Sequence, residues 1–198
     1  MEPATKHRPD RRIRRTRAAL HAALIDLMAE KGYDAVTVQD IIDRADVGRS
    51  TFYAHFTDKE DLLVSGIENL RPQVAGESSA SGERELFAFS LELFRHVRGQ
   101  RRLYRALVGR RGGAVVLRWF TKMVSDLIRE DLDKLPPHKG SEIPRDITVQ
   151  FLAGAYMALL TSWVDSGTKH TPEEMDGMFR ALATGGVVDS VSTRHSQP

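Results

Sequence analysis

Between Thr37 and Lys59 the chain reads TVQDIIDRADVGRSTFYAHFTDK, a run that admits two short helices joined by a tight turn and little else. Val38, Ile41, Ile42 and Ala45 recur at the i, i+3, i+4, i+7 spacing that gathers apolar side chains on one helical face. Thr37 stands just ahead of them as an N-cap. Asp46-Val47-Gly48 interrupts the pattern with turn-forming residues around one apolar anchor, Val47, which can plug the corner between the helices. A second helix follows through about Tyr53. Phe52 and Phe56 are assigned to its packed side, which leaves Arg49, Ser50, Thr51, Tyr53 and His55 facing outward. A free face so dense in hydrogen-bond donors, on the second helix of such a pair, suits the major groove of DNA.

The residues on either side extend this reading. A long first helix ends in Glu30-Lys31-Gly32-Tyr33, Thr37-Val38 opens the next, and Thr51-Phe52-Tyr53-Ala54-His55-Phe56 is followed by Asp58-Lys59-Glu60-Asp61-Leu62-Leu63. In order and spacing the set, from about Arg14 to Arg71, resembles the DNA-binding domain of the tetracycline-repressor-like (TetR) family of bacterial transcription regulators. The resemblance covers roughly the first third of the chain. Two positions depart from it: Asp46 stands where the family usually has Gly, and Gly48 where a Ser commonly caps the recognition helix. Asp tolerates the left-handed conformation better than most residues, and Gly is an acceptable N-cap. The resemblance implies that Tyr53, His55 and Lys59 clamp phosphates and that Thr37, at a helix N-terminus, does the same. From the residues themselves, Arg49, Ser50, Thr51 and Tyr53 are the candidates for base edges or the phosphates beside them, Arg49 being able to hold guanine in a bidentate manner. The plainer alternative for each is a solvated surface position.

Charge is unevenly placed. Residues 1–17, read as a basic N-terminal arm, hold Lys6, Arg8, Arg11, Arg12, Arg14, Arg15 and Arg17 against Glu2 and Asp10, whereas residues 18–71 hold twice as many acids as bases. Such an arm can add phosphate contacts or enter a minor groove, with a strong salt dependence, or it can be a solvated terminus. The acidic body behind it favours specific docking over purely electrostatic binding. With 41% hydrophobic and 28% charged residues and no cysteine, the chain has the composition of an ordinary globular protein without disulfides, thiolate metal sites or a cysteine nucleophile. No apolar run of about 18 residues suggests a membrane span, and no apolar segment follows the basic N-terminus as in a secretory signal. A cytoplasmic location is expected.

The fold class expected is all-α, with about nine helices: an N-terminal three-helix DNA-binding domain with a helix-turn-helix over residues 11–57, a connecting helix over 58–71, and a C-terminal helical ligand-binding and dimerisation domain over 83–188, followed by a polar tail over 189–198. The first helix is expected from about Arg12 to Lys31. Pro72 and then Gly76-Glu77-Ser78-Ser79-Ala80-Ser81-Gly82 should break the pattern as a flexible linker. From Arg145 to Ser166 one helical face carries Phe151, Gly154, Ala155, Ala158 and Ser162, and another carries Leu152, Tyr156 and Trp163, so that helix is buried on two sides. The next opens with Thr171-Pro172-Glu173-Glu174, carries Met175, Met178, Phe179 and Leu182, and should stop at Gly185-Gly186. These last two helices suggest a four-helix interface between identical subunits, and the family resemblance points the same way. The alternative is that both faces pack only within one chain. A dimer would present two recognition helices to an inverted-repeat operator.

Two further features bear on function. Between Glu92 and Asp126 lie Arg95, Arg98, Arg101, Arg102, Arg105, Arg110, Arg111, Arg118 and Lys122 with no acid among them. That stretch could attract an anionic effector or DNA phosphates, pair with acids elsewhere, or be a solvated face. Phe94, Tyr104, Trp119, Phe120, Met123, Phe151, Tyr156 and Trp163 fit a core, and equally an apolar cavity with a few polar handles; the resemblance implies a small-molecule effector pocket in this region. Catalysis finds little support, because His96, His138 and His170 lack metal-ligand spacing and neither a phosphate loop nor a nucleophile elbow occurs. No cofactor or metal is expected. The reading is a homodimeric repressor of transcription that binds double-stranded DNA and is released by a small molecule. Its competitors are a ligand-independent repressor or architectural DNA-binding protein, and a helical protein-interaction module.

Overall fold

Residues 7–75, 86–108, 113–135, 143–167 and 169–192 are described by a computed structural model. Among them are nine α-helices and no strand: α1 (His7–Lys31), α2 (Val38–Ala45), α3 (Arg49–Tyr53), α4 (Lys59–Val74), α5 (Phe89–Gly99), α6 (Arg101–Leu107), α7 (Ala114–Asp133), α8 (Arg145–Ser166) and α9 (Pro172–Ser192). The expected linker from Gly76 to Gly82, Arg110 and Arg111 of the basic stretch, and His138 lie outside the described residues, as do residues 1–6 and 193–198.

Local chemistry sets most helix ends. At α2 the Thr37 hydroxyl accepts from the Asp40 N–H (3.1 Å) while the Asp40 carboxylate accepts from the Thr37 N–H (2.7 Å), a capping box that satisfies two orphan donors. Thr171 and Glu174 repeat it at α9 (3.2 and 2.8 Å). Asp58 caps α4 by accepting from the Glu60 and Asp61 N–H groups, both at 2.8 Å. Asp46 ends α2 in the left-handed region at φ 52°, and the Val47 N–H returns to the Ile42 carbonyl (3.2 Å). Gly32 ends α1 at φ 78°.

Three boundaries differ from expectation. The helix expected from about Arg12 begins at His7, so the described part of the basic arm is helical, with Arg11, Arg12, Arg14 and Arg15 exposed. α4 runs through Pro72 to Val74. A proline two residues before a helix end forfeits one backbone bond, whereas stopping at Arg71 would lose the burial of Val74, which is 1% exposed. α9 passes Gly185 and Gly186 and reaches Ser192; glycine weakens a helix but does not forbid it.

α1 packs on α2, α4 and α6, while α4 crosses to α5 and α7; α7 lies against α8, and α5 and α8 both lie against α9. The buried apolar residues form one cluster running from Leu20, Phe52 and Leu62 to Phe94, Tyr156 and Phe179. α8 is long and apolar enough to cross a membrane by length and composition. Its apolar residues divide between two directions, however: Leu152, Tyr156, Leu160 and Trp163 are buried in the chain's own core, while Ile147 and Phe151 stand exposed.

Candidate nucleic-acid interface

α3 is held by its aromatic residues. Phe52 is fully buried and Phe56 nearly so; their ring centroids are 6.0 Å apart, and Phe56 meets the His21 ring of α1 at 5.6 Å and the Arg17 guanidinium at 4.8 Å. With that side fixed, helical geometry turns the neighbouring positions to solvent. Arg49 and Ser50 are exposed, Tyr53 is 49% exposed, and Thr51 and His55 are half-buried. The Tyr53 ring rests edge-on against Phe52 at 5.3 Å, the Arg49 guanidinium lies 5.6 Å from the Tyr53 ring, and its Nη1 donates to Gln39 Oε1 (3.4 Å). Gln39, on the exposed side of α2, therefore joins Arg49 and Tyr53 in one polar surface. Sequence alone does not single it out, because one Gln between apolar positions carries no signal by itself. On the other flank Ser50, Thr51 and His55 face Arg12, Ile13 and Thr16 of α1 across a cleft of about 360 Å³.

Two residues expected to clamp phosphates are engaged within the chain. Lys59 Nζ donates to the carbonyls of Val36 (2.7 Å), Tyr33 (3.0 Å) and Asp34 (3.4 Å) and sits 4.5 Å over the Tyr33 ring. It closes the α1–α2 connection onto the start of α4 rather than reaching outward. The Thr37 hydroxyl donates to Asp40 Oδ2 (2.6 Å), the carboxylate that also takes the Thr37 N–H and Lys31 (2.8 Å). Both Thr37 donors are thus occupied, and a carboxylate stands where a phosphate would have to come. Lys31 and the Thr37 donors together hold the Asp40 carboxyl well below the usual carboxylate range.

The next residue, Glu60, points the other way. Its Oε1 accepts from Trp119 Nε1 (2.8 Å) and Arg118 Nη2 (2.5 Å), both on α7. Burial, with Glu60, Asp58 and Asp34 nearby, pushes the Tyr33 hydroxyl up to about 12, so it stays protonated at this joint.

Residues 20–65, which contain this entire arrangement, match the sequence profile of bacterial regulatory proteins of the tetR family, and residues 84–185, more than half of the chain, match that of a transcriptional regulator C-terminal region. The chain is a transcriptional regulator of the TetR family. It is 45% identical over 60 residues to the uncharacterized HTH-type transcriptional regulator YxbF of Bacillus subtilis (strain 168), a match covering 30% of this chain and 16% of that protein. It is 32% identical over 106 residues to the HTH-type transcriptional regulator TcmR of Streptomyces glaucescens, covering 50% of this chain and 46% of that one. The chain thus spans less than half the length of these curated relatives. A TetR transcriptional regulator from Streptococcus agalactiae 2603V superposes with a TM-score of 0.68 at 27% identity, over 88% of this chain and 97% of its own. The family and these relatives are regulators of transcription rather than enzymes.

In the C-terminal part of this TetR-family chain, the aromatic residues expected to line an effector pocket pack on one another. Phe94 meets Tyr156 (5.1 Å) and Trp163 (5.4 Å), and Tyr104 meets Phe120 (5.6 Å). Met123 is buried, and the Tyr156 hydroxyl donates to the Ser90 carbonyl (3.2 Å). Trp119 belongs to the α4 joint. Phe151 is 69% exposed and lines no interior space. The larger cavity, about 1300 Å³, instead opens between the end of α1 and helices α6, α7 and α8.

The residues expected at a dimer interface separate likewise. Phe151, Gly154, Ala158 and Ser162 of α8 and Met178 and Leu182 of α9 are exposed, Leu182 by 71%, and Ala155 is half-buried. Met175 and Phe179 face the opposite way: they are 5% and 1% exposed, with the Phe179 ring 4.9 Å from Tyr156. One helix carries two apolar stripes, and the second belongs to the chain's own core. Among the described residues of the basic stretch, three are paired with acids. Arg95 pairs with Glu92 and Glu173, Arg118 with Glu60, and Lys122 with Asp126.

Two measurements follow from this geometry. Lys59→Ala removes a charged donor from three carbonyls and is expected to lower stability by about 1.5–3 kcal/mol, read as an earlier urea midpoint with unchanged helicity. Because the folded-state pKa of Asp40 is depressed, its contribution is present above the unfolded carboxylate value and lost as pH falls through the folded one. Asp40→Asn should therefore melt below wild type at neutral pH, and the gap should narrow once pH drops under about 4.

Proposed function

We propose that this TetR-family chain acts as a homodimeric repressor that docks α3 of each copy into successive major grooves of an inverted-repeat operator and is released by a small molecule. The observation that carries the reading is the division of α3. Phe52 and Phe56 are buried while Arg49, Ser50 and Tyr53 stand exposed beside Gln39, so the polar edge is presented on a rigid support. Arg49 and Ser50 are assigned to base edges, and Tyr53, Thr51 and His55 to phosphates and sugars. The exposed arginines of α1 add sequence-independent attraction. Lys59 and Thr37 act indirectly, by fixing the start of α4 and of α2.

Dimerisation is supported by the exposed stripe of Phe151, Gly154 and Ala158 beside Met178 and Leu182. Large apolar side chains 69% and 71% exposed on adjacent helices form a patch that a monomer would leave in water. Small residues at 154 and 158 allow close approach of a partner helix. A twofold axis through this stripe would set the spacing of the two α3 helices. An effector acts by binding unequally to the arrangements that do and do not match the groove spacing. α4 is the lever, since its first turn is tied to the α1–α2 connection through Lys59 and to α7 through Glu60.

The test uses duplex DNA carrying the inverted repeat found upstream of the chain's own gene or its neighbours. Arg49→Ala is expected to weaken binding about tenfold or more, in line with the roughly 1–3 kcal/mol of a good base contact, and Tyr53→Ala to weaken it for all sequences alike through a lost phosphate contact, in both cases with the dimer intact. Wild-type affinity in both variants would remove α3 as the reading element. Phe151→Glu combined with Leu182→Glu should give a folded monomer by sedimentation and abolish operator binding at concentrations where the wild type saturates.

A further inference from the structure

The cavity between the end of α1 and helices α6, α7 and α8 holds none of the residues assigned to DNA. Its volume of about 1300 Å³ exceeds the 300–1,000 Å³ usual for small-molecule pockets. Its apolar lining is Leu117 of α7 with the small exposed edges of Met28 of α1 and Met157 of α8, and Thr121 and Ser162 add hydroxyls. Four charged side chains line it: Glu30, Lys31, Arg105 and Asp165. Three of them are already engaged. Glu30 receives both guanidinium nitrogens of Arg44 (2.9 and 2.8 Å), Lys31 pairs with Asp40 (2.8 Å), and Asp165 has an interaction of its own. Arg105 makes no ion pair or hydrogen bond with any described residue.

We infer that this junctional cleft binds a small amphipathic organic anion, its apolar body over Met28, Leu117 and Met157 and its single carboxylate, sulfonate or phenolate on the Arg105 guanidinium. A guanidinium with no partner among the described residues, beside apolar side chains, gives such a ligand both a charge-assisted hydrogen bond and a surface to bury. Thr121 and Ser162 supply further hydroxyl partners. The inference rests on the proposed function for its consequence, because it gives the release step a location. The α1 wall of the cleft holds α2 through Glu30–Arg44 and Lys31–Asp40, so a ligand that displaces the end of α1 moves the helix-turn-helix with it. Ala158 and Ser162 belong both to this cleft and to the exposed stripe of α8, so the site adjoins the face assigned to a second copy.

The test uses the purified full chain in about 150 mM salt, where surface attraction is screened, with two fluorescent probes of similar shape: 8-anilinonaphthalene-1-sulfonate, which is anionic, and N-phenyl-1-naphthylamine, which is not. Arg105→Gln, a change at an exposed position, should weaken the sulfonate about tenfold and leave the amine within about twofold, a difference in charge recognition alone. Arg105→Lys should retain most of the sulfonate affinity. Thr121→Trp, which places an indole in part of the cleft, should lose both probes at unchanged helicity. Undiminished sulfonate binding by Arg105→Gln, or retention of both probes by Thr121→Trp, would overturn the site. Operator binding measured without either probe separates the two readings: its absence alongside charge-selective probe binding refutes the repressor reading and leaves the cleft standing.

Discussion

Two adjacent residues at the start of α4 tie the helix-turn-helix to the rest of the molecule. Lys59 gathers the carbonyls of Tyr33, Asp34 and Val36, which follow the end of α1, and adds a charged donor to a turn already closed by the Val36 N–H on the Tyr33 carbonyl (3.1 Å). Glu60, one position on and rotated by a helical step, takes Trp119 and Arg118 of α7. The first contact decides where α2 begins relative to α4, and the second decides how α4 meets the C-terminal helices. Gly113, just ahead of α7, completes the joint: a β-carbon there would come within 3.3 Å of the Asp34 carboxylate and 3.5 Å of Tyr33. A shift of α7 is therefore felt at once in the α1–α2 connection. The orientation of α3 inherits both constraints, because Phe52 and Phe56 lock it to the body that α1 and α4 define.

How far the sequence disclosed this arrangement depends on the kind of interaction involved. The apolar spacing of α2, the cap at Thr37 and the left-handed turn at Asp46 are local and legible in the sequence. The hydrogen-bond partners of Lys59 and Thr37 are not. Their partners are backbone carbonyls and a carboxylate brought near by folding, and a lysine or threonine beside a DNA-reading helix looks the same whether it points to solvent or inward. Pro72 and Gly185-Gly186 misled for a related reason. They act as punctuation only where tertiary burial does not outweigh the local cost, and Val74 shows that it does. In α9 the two apolar stripes are equally good by spacing. Only the Phe87, Tyr156 and Phe179 ring cluster shows that Met175 and Phe179 face inward and Met178 and Leu182 outward.

The arginine-rich interval shows the limits of reading charge along a chain. Nine cations without an intervening acid suggest a belt, but in a helical fold successive residues point around the axis and meet acids that are distant in sequence. Arg95 reaches Glu173 on α9, and Arg118 reaches Glu60 on α4. Arg101 lies near the carbonyls of Trp163 and Val164, at 3.4 and 3.3 Å, where α8 ends and its dipole is negative. Once these are assigned, the positive character of the interval contracts to a few side chains, and Arg105 stands out by its surroundings rather than by its charge.

The same accounting bears on how a ligand in the cleft could matter to DNA. The contacts joining the end of α1 to α2 are ion pairs at the surface, Glu30 with Arg44 and Lys31 with Asp40, and such pairs are individually weak and screened by salt. The core beneath them, from Leu24 and Met28 to Ile41 and Ile42, is fully buried and resists deformation. A ligand is therefore expected to move α1, α2 and α3 together as a rigid unit rather than to loosen α3 within it. Rigid rotation about the start of α4 changes the separation of two α3 helices across a twofold axis while leaving each reading surface intact. A half-site should then keep its weak affinity for one copy in the presence of ligand, and the loss should fall on the paired site, where both copies must fit grooves of fixed spacing.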